Sequence, residues 1–305
     1  MAKRNVKTYP APNRLRKEEA TSWAFAAPAM LLLLFFLIIP FFMAIYFSFT
    51  DQRLVPGPNP TSFVGLQNFV RVFLDEIFLR ALLNNFLFTI FVVPIQTVFA
   101  LSLALLINQK IKGVMVFRTI YFSPVVTTLV VIAIIWTFLY SPDQGLINEF
   151  LKTISFGQLG PYQWLNDPYL ALPAIMIMSI WQGVGFQMII YLAGLQSIAE
   201  ELYEAAKIDG AGGWSRFISI TIPQLRNTSI FVITATTIMA FRLYAQVQIM
   251  TQGGPENATV TTVYYTVIQG FTNLRVGYAS AIAVIFFLIV LTISMLQRVF
   301  LSEER

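Results

Sequence analysis

The chain has no cysteine and no histidine among its 305 residues. The first absence excludes disulfides and thiolate nucleophiles. The second excludes a Ser-His triad, a histidine proton relay and histidine metal sites. Charge is scarce too, at 11% of residues. No charged residue stands between Glu19 and Asp51, and further charge-free windows separate Arg80 from Lys110, Arg118 from Asp143, Asp167 from Glu200, and Arg275 from Arg298. None holds a carboxylate at mid-depth, the usual mark of a proton- or ion-coupled carrier. The sequence has no GxxxxGK[ST], so it builds no phosphate-cradling loop of its own. A wall this neutral must borrow its energy.

What is present is apolar: 57% of residues are hydrophobic and mean hydropathy is +0.69. Each window supplies roughly 20 or more mainly apolar residues, enough to cross about 30 Å of hydrocarbon as helix. The window between Arg226 and Arg242 is shorter; its helix would reach only about 22 Å, so the span is expected to continue past Arg242. The reading is an all-α membrane protein with six transmembrane helices, at about 24–49, 81–108, 117–140, 169–197, 226–250 and 276–297. Residues 1–21 form an N-terminal segment, 22–300 the membrane domain and 301–305 a tail. The first window is too long for the apolar core of a signal peptide, so it is expected to remain as a span. Fourteen Lys/Arg fall on the side of the N-terminus and six on the other, which places both termini in the cytoplasm. The basic arm over residues 1–17 is accounted for by this rule; a nucleic-acid-binding arm is the competing reading, and no nucleic acid partner is expected.

One stretch does not read as lipid-facing wall. EAAKIDGAGGWSRFISITIP, Glu204–Pro223, lies within the loop 198–225 between two spans, on the cytoplasmic side by the same charge rule. Glu204-Ala205-Ala206 is strongly helix-forming, Asp209-Gly210 breaks the helix, and a second short helix carries Trp214, Phe217 and Ile218 on one side, with Pro223 expected to end it. Glu204, Ala205, Ala206, Gly210, Ile220 and Pro223 stand at the spacings of the "EAA" loop, so the chain resembles the inner-membrane permease subunits of ABC importers. Ile222 replaces the family's usual Leu, and Asn227 stands where a further Pro is common. FVGLQNF at Phe63–Phe69, TQGGP at Thr251–Pro255 and GYASA at Gly277–Ala281 are similar to the first permease of carbohydrate importers of the maltose, lactose and glycerol-phosphate type. Taken without that resemblance, TQGGP reads as a tight turn in a plain connection.

The resemblance implies a type I ABC importer permease in a prokaryotic plasma membrane. It implies a second permease, two copies of an ABC ATPase that bind ATP and Mg, and an extracytoplasmic solute-binding protein, with no cofactor in this chain. Glu204, Ala205, Ala206, Asp209, Gly210 and Ala211 would then contact the ATPase and couple its motion to the spans. The solute implied is a sugar or oligosaccharide, with glycerol 3-phosphate or a polyol as the alternative. From another class, a self-contained channel or secondary carrier is the rival.

A hydroxyl-rich solute needs amides and hydroxyls beside apolar or aromatic faces. On the fourth span Gln182 and Phe186 share a helix face, with Gly183 and Gln187 beside them; on the fifth, Thr236, Met239, Ala240 and Leu243 share another. These eight are the candidate substrate path, and packing between membrane helices is the competing account. Arg242 lies about 24 Å up its helix from Arg226, so it is expected to snorkel to the outer interface; facing the pathway is the competing reading.

Overall fold

The computed structural model describes residues 12–55, 57–58, 60–109 and 113–302, with side chains described from 21 to 300. Residues 1–11, Lys110, Lys112 and residues 303–305, on which part of the charge asymmetry rests, lie outside the described residues. Every long apolar window is helical, because helix satisfies each backbone N–H and C=O within the segment where lipid offers no partner. Thirteen α-helices are used below. The spans are α1 (Thr21–Ser48), α3 (Glu76–Ile107), α7 (Ala171–Gln196) and α13, whose membrane-length part is Val276–Phe300. The remaining two windows are each interrupted.

The window at 117–140 is not the single straight helix expected from its composition. It is α4 (Val114–Val126) and α5 (Leu129–Leu139), bent by 100°. Thr127 and Thr128 are extended at the break, just after Pro124, which lacks an N–H for the ladder. The fifth window does continue past Arg242, as its length requires, but in two pieces. Helix α10 (Arg226–Phe241) stops at Arg242 and α11 (Ala245–Met250) carries the span on. In α1 the turn Leu34–Ile38 is a π-turn placed before Pro40, the usual device for carrying a proline through a helix.

Helices α3 and α7 form the central pair, with α10 against α3 and α4 against α7. Lipid is as apolar as the core, so close packing and buried polar bonds hold such helices together rather than hydrophobic transfer. Gly185 shows the packing. A Cβ built there would lie 2.0 Å from the Tyr121 carbonyl oxygen, so only glycine lets α7 approach α4 this closely.

The end of the bundle at which α3 begins is laced by polar side chains. The connections at this end carry α2 (Gln67–Phe73), α6 (Leu146–Ile154) and α12 (Thr262–Val267). Asn68 Nδ2 donates to the carbonyls of Ser48 (3.0 Å) and Thr50 (2.8 Å), fixing α2 on the end of α1. Asp75 caps α3: it accepts from the N–H groups of Ile77 and Phe78 and from the hydroxyls of Tyr265 and Tyr278. Partial burial alone would raise the Asp75 pKa, but these four donors outweigh it and hold the carboxyl below its ordinary value. Burial and the bond to Asp75 push the Tyr265 hydroxyl up. The TQGGP segment is no plain connection. Thr259 donates to the Gly254 carbonyl, its hydroxyl also meets that of Thr251, and Thr259, Thr261 and Thr262 are fully buried.

Asn85, also fully buried, joins three elements: its Nδ2 donates to the Phe241 carbonyl at 3.1 Å and its Oδ1 accepts from the Thr262 N–H at 2.8 Å. Asn85→Ala would leave both backbone groups unpartnered. The expected loss is about 2 kcal/mol, read as a lower midpoint of thermal unfolding in detergent. Ser102→Ala, which removes an exposed hydroxyl bonded only to its own helix, is expected to stay within about 0.5 kcal/mol.

Candidate functional site

All eight residues of the expected path line one cavity of about 350 Å³ between α3, the α4–α5 break, α7 and α10. From α7 come Gln182, Gly183, Phe186 and Gln187; from α10 come Thr236, Met239 and Ala240, with Leu243 just beyond its end. They reach one space because α7 and α10 pack on the same side of α3, each turning its small and amide-bearing face inward. Phe186 and Met239 are 41% and 60% exposed, so an aromatic face and a thioether stand open to the cavity.

The polar wall has a specific defect. Gln187 Nε2 donates to Thr236 Oγ1, and Thr236 in turn donates to the Val232 carbonyl within its own helix. Gln187 Oε1 has no hydrogen-bond partner although the residue is 2% exposed, and neither has Ser179 Oγ at 8%. Buried polar atoms are nearly always paired, so these two mark a polar patch, on residues that line the cavity, whose hydrogen bonding is incomplete.

Sequence reasoning missed Ser179 and Gln96, both on this wall, and the bend residues Val125 and Leu129. Gln96 was detectable, being an amide inside a charge-free window like Gln182 and Gln187; its amide packs over Gly183. Of the two readings of Arg242, the structure favours the pathway: the residue stands just past the end of α10 and lines the same cavity. Among the described lining residues it carries the one charge.

At the opposite end of α7 and α10 lies the Glu204–Pro223 stretch. Helix α8 (Glu200–Ile208) buries none of its residues. It closes with two bonds, Ala211 N–H to the Ala206 carbonyl at 2.8 Å and Gly210 N–H to the Lys207 carbonyl at 3.1 Å. This C-terminal pattern needs a left-handed residue, and Gly210 supplies it with φ +78°. The return arm starts with α9 (Gly213–Arg216) and runs on through a π-turn, Phe217–Thr221. Pro223 does not end this arm: it sits in the first turn of the next helical piece, Ile222–Gln224, where a missing N–H costs nothing. Tyr203 and Thr221 hydroxyls meet at 2.9 Å and tie the two arms together. Glu204, Ala205, Asp209 and Gly210 are exposed, Ala206 and Ala211 partly so, and beside them Ile208 and Trp214 are 87% and 72% exposed.

Membrane-length helices around a polar-walled cavity, with a protruding helical loop between two of them, have the build of a membrane permeation subunit. The chain belongs to the family described as "Binding-protein-dependent transport system inner membrane component", which matches residues 76–303. It is 35% identical over 273 residues to the diacetylchitobiose uptake system permease protein NgcF of Streptomyces coelicolor, covering 86% of this chain and 76% of that one. To the lactose transport system permease protein LacF of Rhizobium radiobacter it is 35% identical over 288 residues, covering 92% and 94%. The fold matches a crystal structure of a bacterial ABC transporter involved in the import of the acidic polysaccharide alginate, with a TM-score of 0.80, 24% identity and coverage of 95% and 98%. The chain is thus a multi-pass inner-membrane permease subunit of an ABC transport system.

Proposed function

We propose that the chain forms half of the translocation path of an ATP-driven sugar or oligosaccharide importer and takes its energy from a partner ATPase through the Glu204–Pro223 loop. The observation that carries this is the geometry of two helices. Helices α7 and α10 wall the polar cavity at one level and hold the exposed loop between them at the other. A ligand or partner shifts an equilibrium only through contacts that differ between two states, and a docked helix joined rigidly to both cavity walls provides them. Glu204, Ala205, Ala206, Asp209, Gly210 and Ala211 form the docking face: small side chains admit close approach, Glu204 offers a charge to a basic residue, and Gly210 makes the turn.

The solute path is Gln182, Gly183, Phe186, Gln187, Thr236, Met239, Ala240 and Leu243. Amide- and hydroxyl-bearing residues lining a cavity beside an aromatic side chain suit the polar edge and apolar face of a sugar ring. The named substrates of the relatives, diacetylchitobiose and lactose, favour a saccharide over glycerol 3-phosphate. The second permease, the paired ATPase with its ATP and Mg, and the solute-binding protein complete the assembly, with both termini and the loop in the cytoplasm.

The test is uptake into proteoliposomes. The assembled complex with binding protein is expected to take up the sugar only with ATP, and the chain alone to move none. Uptake of the same rate by the purified chain without an ATPase would replace this reading with a channel or secondary carrier.

A further inference from the structure

A second groove, of about 430 Å³, runs along the other side of the α3–α7 pair and shares no residue with the solute cavity. On α3 the two surfaces interleave. Leu87, Phe91 and Ile95 line the groove, whereas Phe88, Val92 and Gln96 line the cavity. The groove's α7 side is Leu172, Met176, Ile177 and Ile180, so from Leu87 onward it is apolar; Asn84, near the Arg80 end, is buried and its amide donates to the Asn257 and Val260 carbonyls. One end differs: there stand Arg80, exposed and with no ion pair or hydrogen bond to its guanidinium among the described residues, and Tyr169, 87% exposed.

We infer that this groove binds one membrane phospholipid, with its phosphate on Arg80 and one acyl chain along α3 and α7. Three observations select that occupant. First, Arg80 to Ile95 is about 22 Å of helix, which covers a headgroup and the roughly 15 Å of hydrocarbon in one leaflet. Second, the cation stands at the start of a membrane-length helix, at headgroup level, beside an exposed tyrosine of the kind that collects at that interface. Third, Phe91, Ile95 and Ile177 are each about half exposed, so the slot is open sideways along its length. A water-soluble ligand would leave that surface unmatched, and a single-headed lipid matches both its charge and its apolar length. Because neighbouring residues of α3 face groove and cavity in turn, the lipid would brace the helix that walls the solute path.

The absence of cysteine makes the test clean. The complete transporter complex is placed in nanodiscs of phosphatidylethanolamine carrying a photoactivatable acyl chain, and labelled peptides are mapped. Label is expected on residues 87–95 and 172–180. Arg80→Ala should lower it about tenfold, the cost of one charge-assisted hydrogen bond. Ile177→Trp, which fills the groove and leaves Arg80 in place, should remove it. Label insensitive to both substitutions, or confined to other helices, overturns the inference. So does efficient cross-linking of a single Phe91→Cys to the second permease, because the groove would then be covered by protein.

Discussion

Glu204→Lys is expected to abolish ATP-driven uptake while leaving the chain folded. The side chain is exposed on a helix that buries nothing, so its replacement touches no packing and should change stability by no more than about 0.5 kcal/mol. Across a docked interface the same change replaces an attraction with a like-charge contact, which costs about 2–5 kcal/mol and weakens coupling roughly thirtyfold or more. ATP turnover and sugar uptake by the reconstituted complex, with a pull-down of the ATPase, separate the outcomes. Turnover without uptake in an intact complex assigns coupling to the loop. Loss of the ATPase from the complex assigns docking. Normal uptake removes the loop from the mechanism. Glu204→Gln, which deletes the charge without reversing it, is expected to fall between wild type and Glu204→Lys.

The spans were legible because charge-free length is a property of composition and needs no knowledge of neighbours. Where each helix breaks was not. Pro124 is visible in the third window, yet Pro94 sits in α3 without interrupting it. What distinguishes the two is tertiary. At Gly185 the backbone of α7 comes up against Tyr121, one turn before Pro124, and the chain departs from helix only after that contact is made. The lacing of the far end was equally hidden. Asn84 and Asn85 look like two polar residues at the edge of a span, and their partners are backbone groups about 160 to 180 residues away along the chain.

The two candidate sites were legible to different degrees. The Glu204–Pro223 loop announces itself through glycine and alanine at fixed spacing, and spacing survives without a structure. The candidate solute path was drawn from small and amide-bearing residues on two helix faces, a rule blind to what other helices contribute. It therefore missed Gln96 on α3 and Ser179 on α7, and it ranked the two readings of Arg242 by height along an ideal helix. The height itself holds, because α10 runs unbroken from Arg226 to Phe241; what it did not show is that the cavity reaches that level.

Gln187→Leu separates a solute path from ordinary helix packing. In the protein as it stands, Gln187 Oε1 is buried without a partner, a cost of about 1–3 kcal/mol that leucine would not carry. Leucine forfeits the bond to Thr236, but that hydroxyl keeps its own bond to the Val232 carbonyl and is not orphaned. The two changes nearly cancel, so thermal stability is expected to stay the same or rise slightly. Transport should go the other way. Gln187 lines the cavity, and exchanging its amide for an apolar side chain is expected to slow sugar uptake by about ten- to a hundredfold, with ATPase coupling through Glu204 intact. If Gln187 served only as glue between α7 and α10, the pattern would invert: stability would fall and uptake per folded complex would hold. Stability unchanged with uptake lost is the result that places the solute against α7.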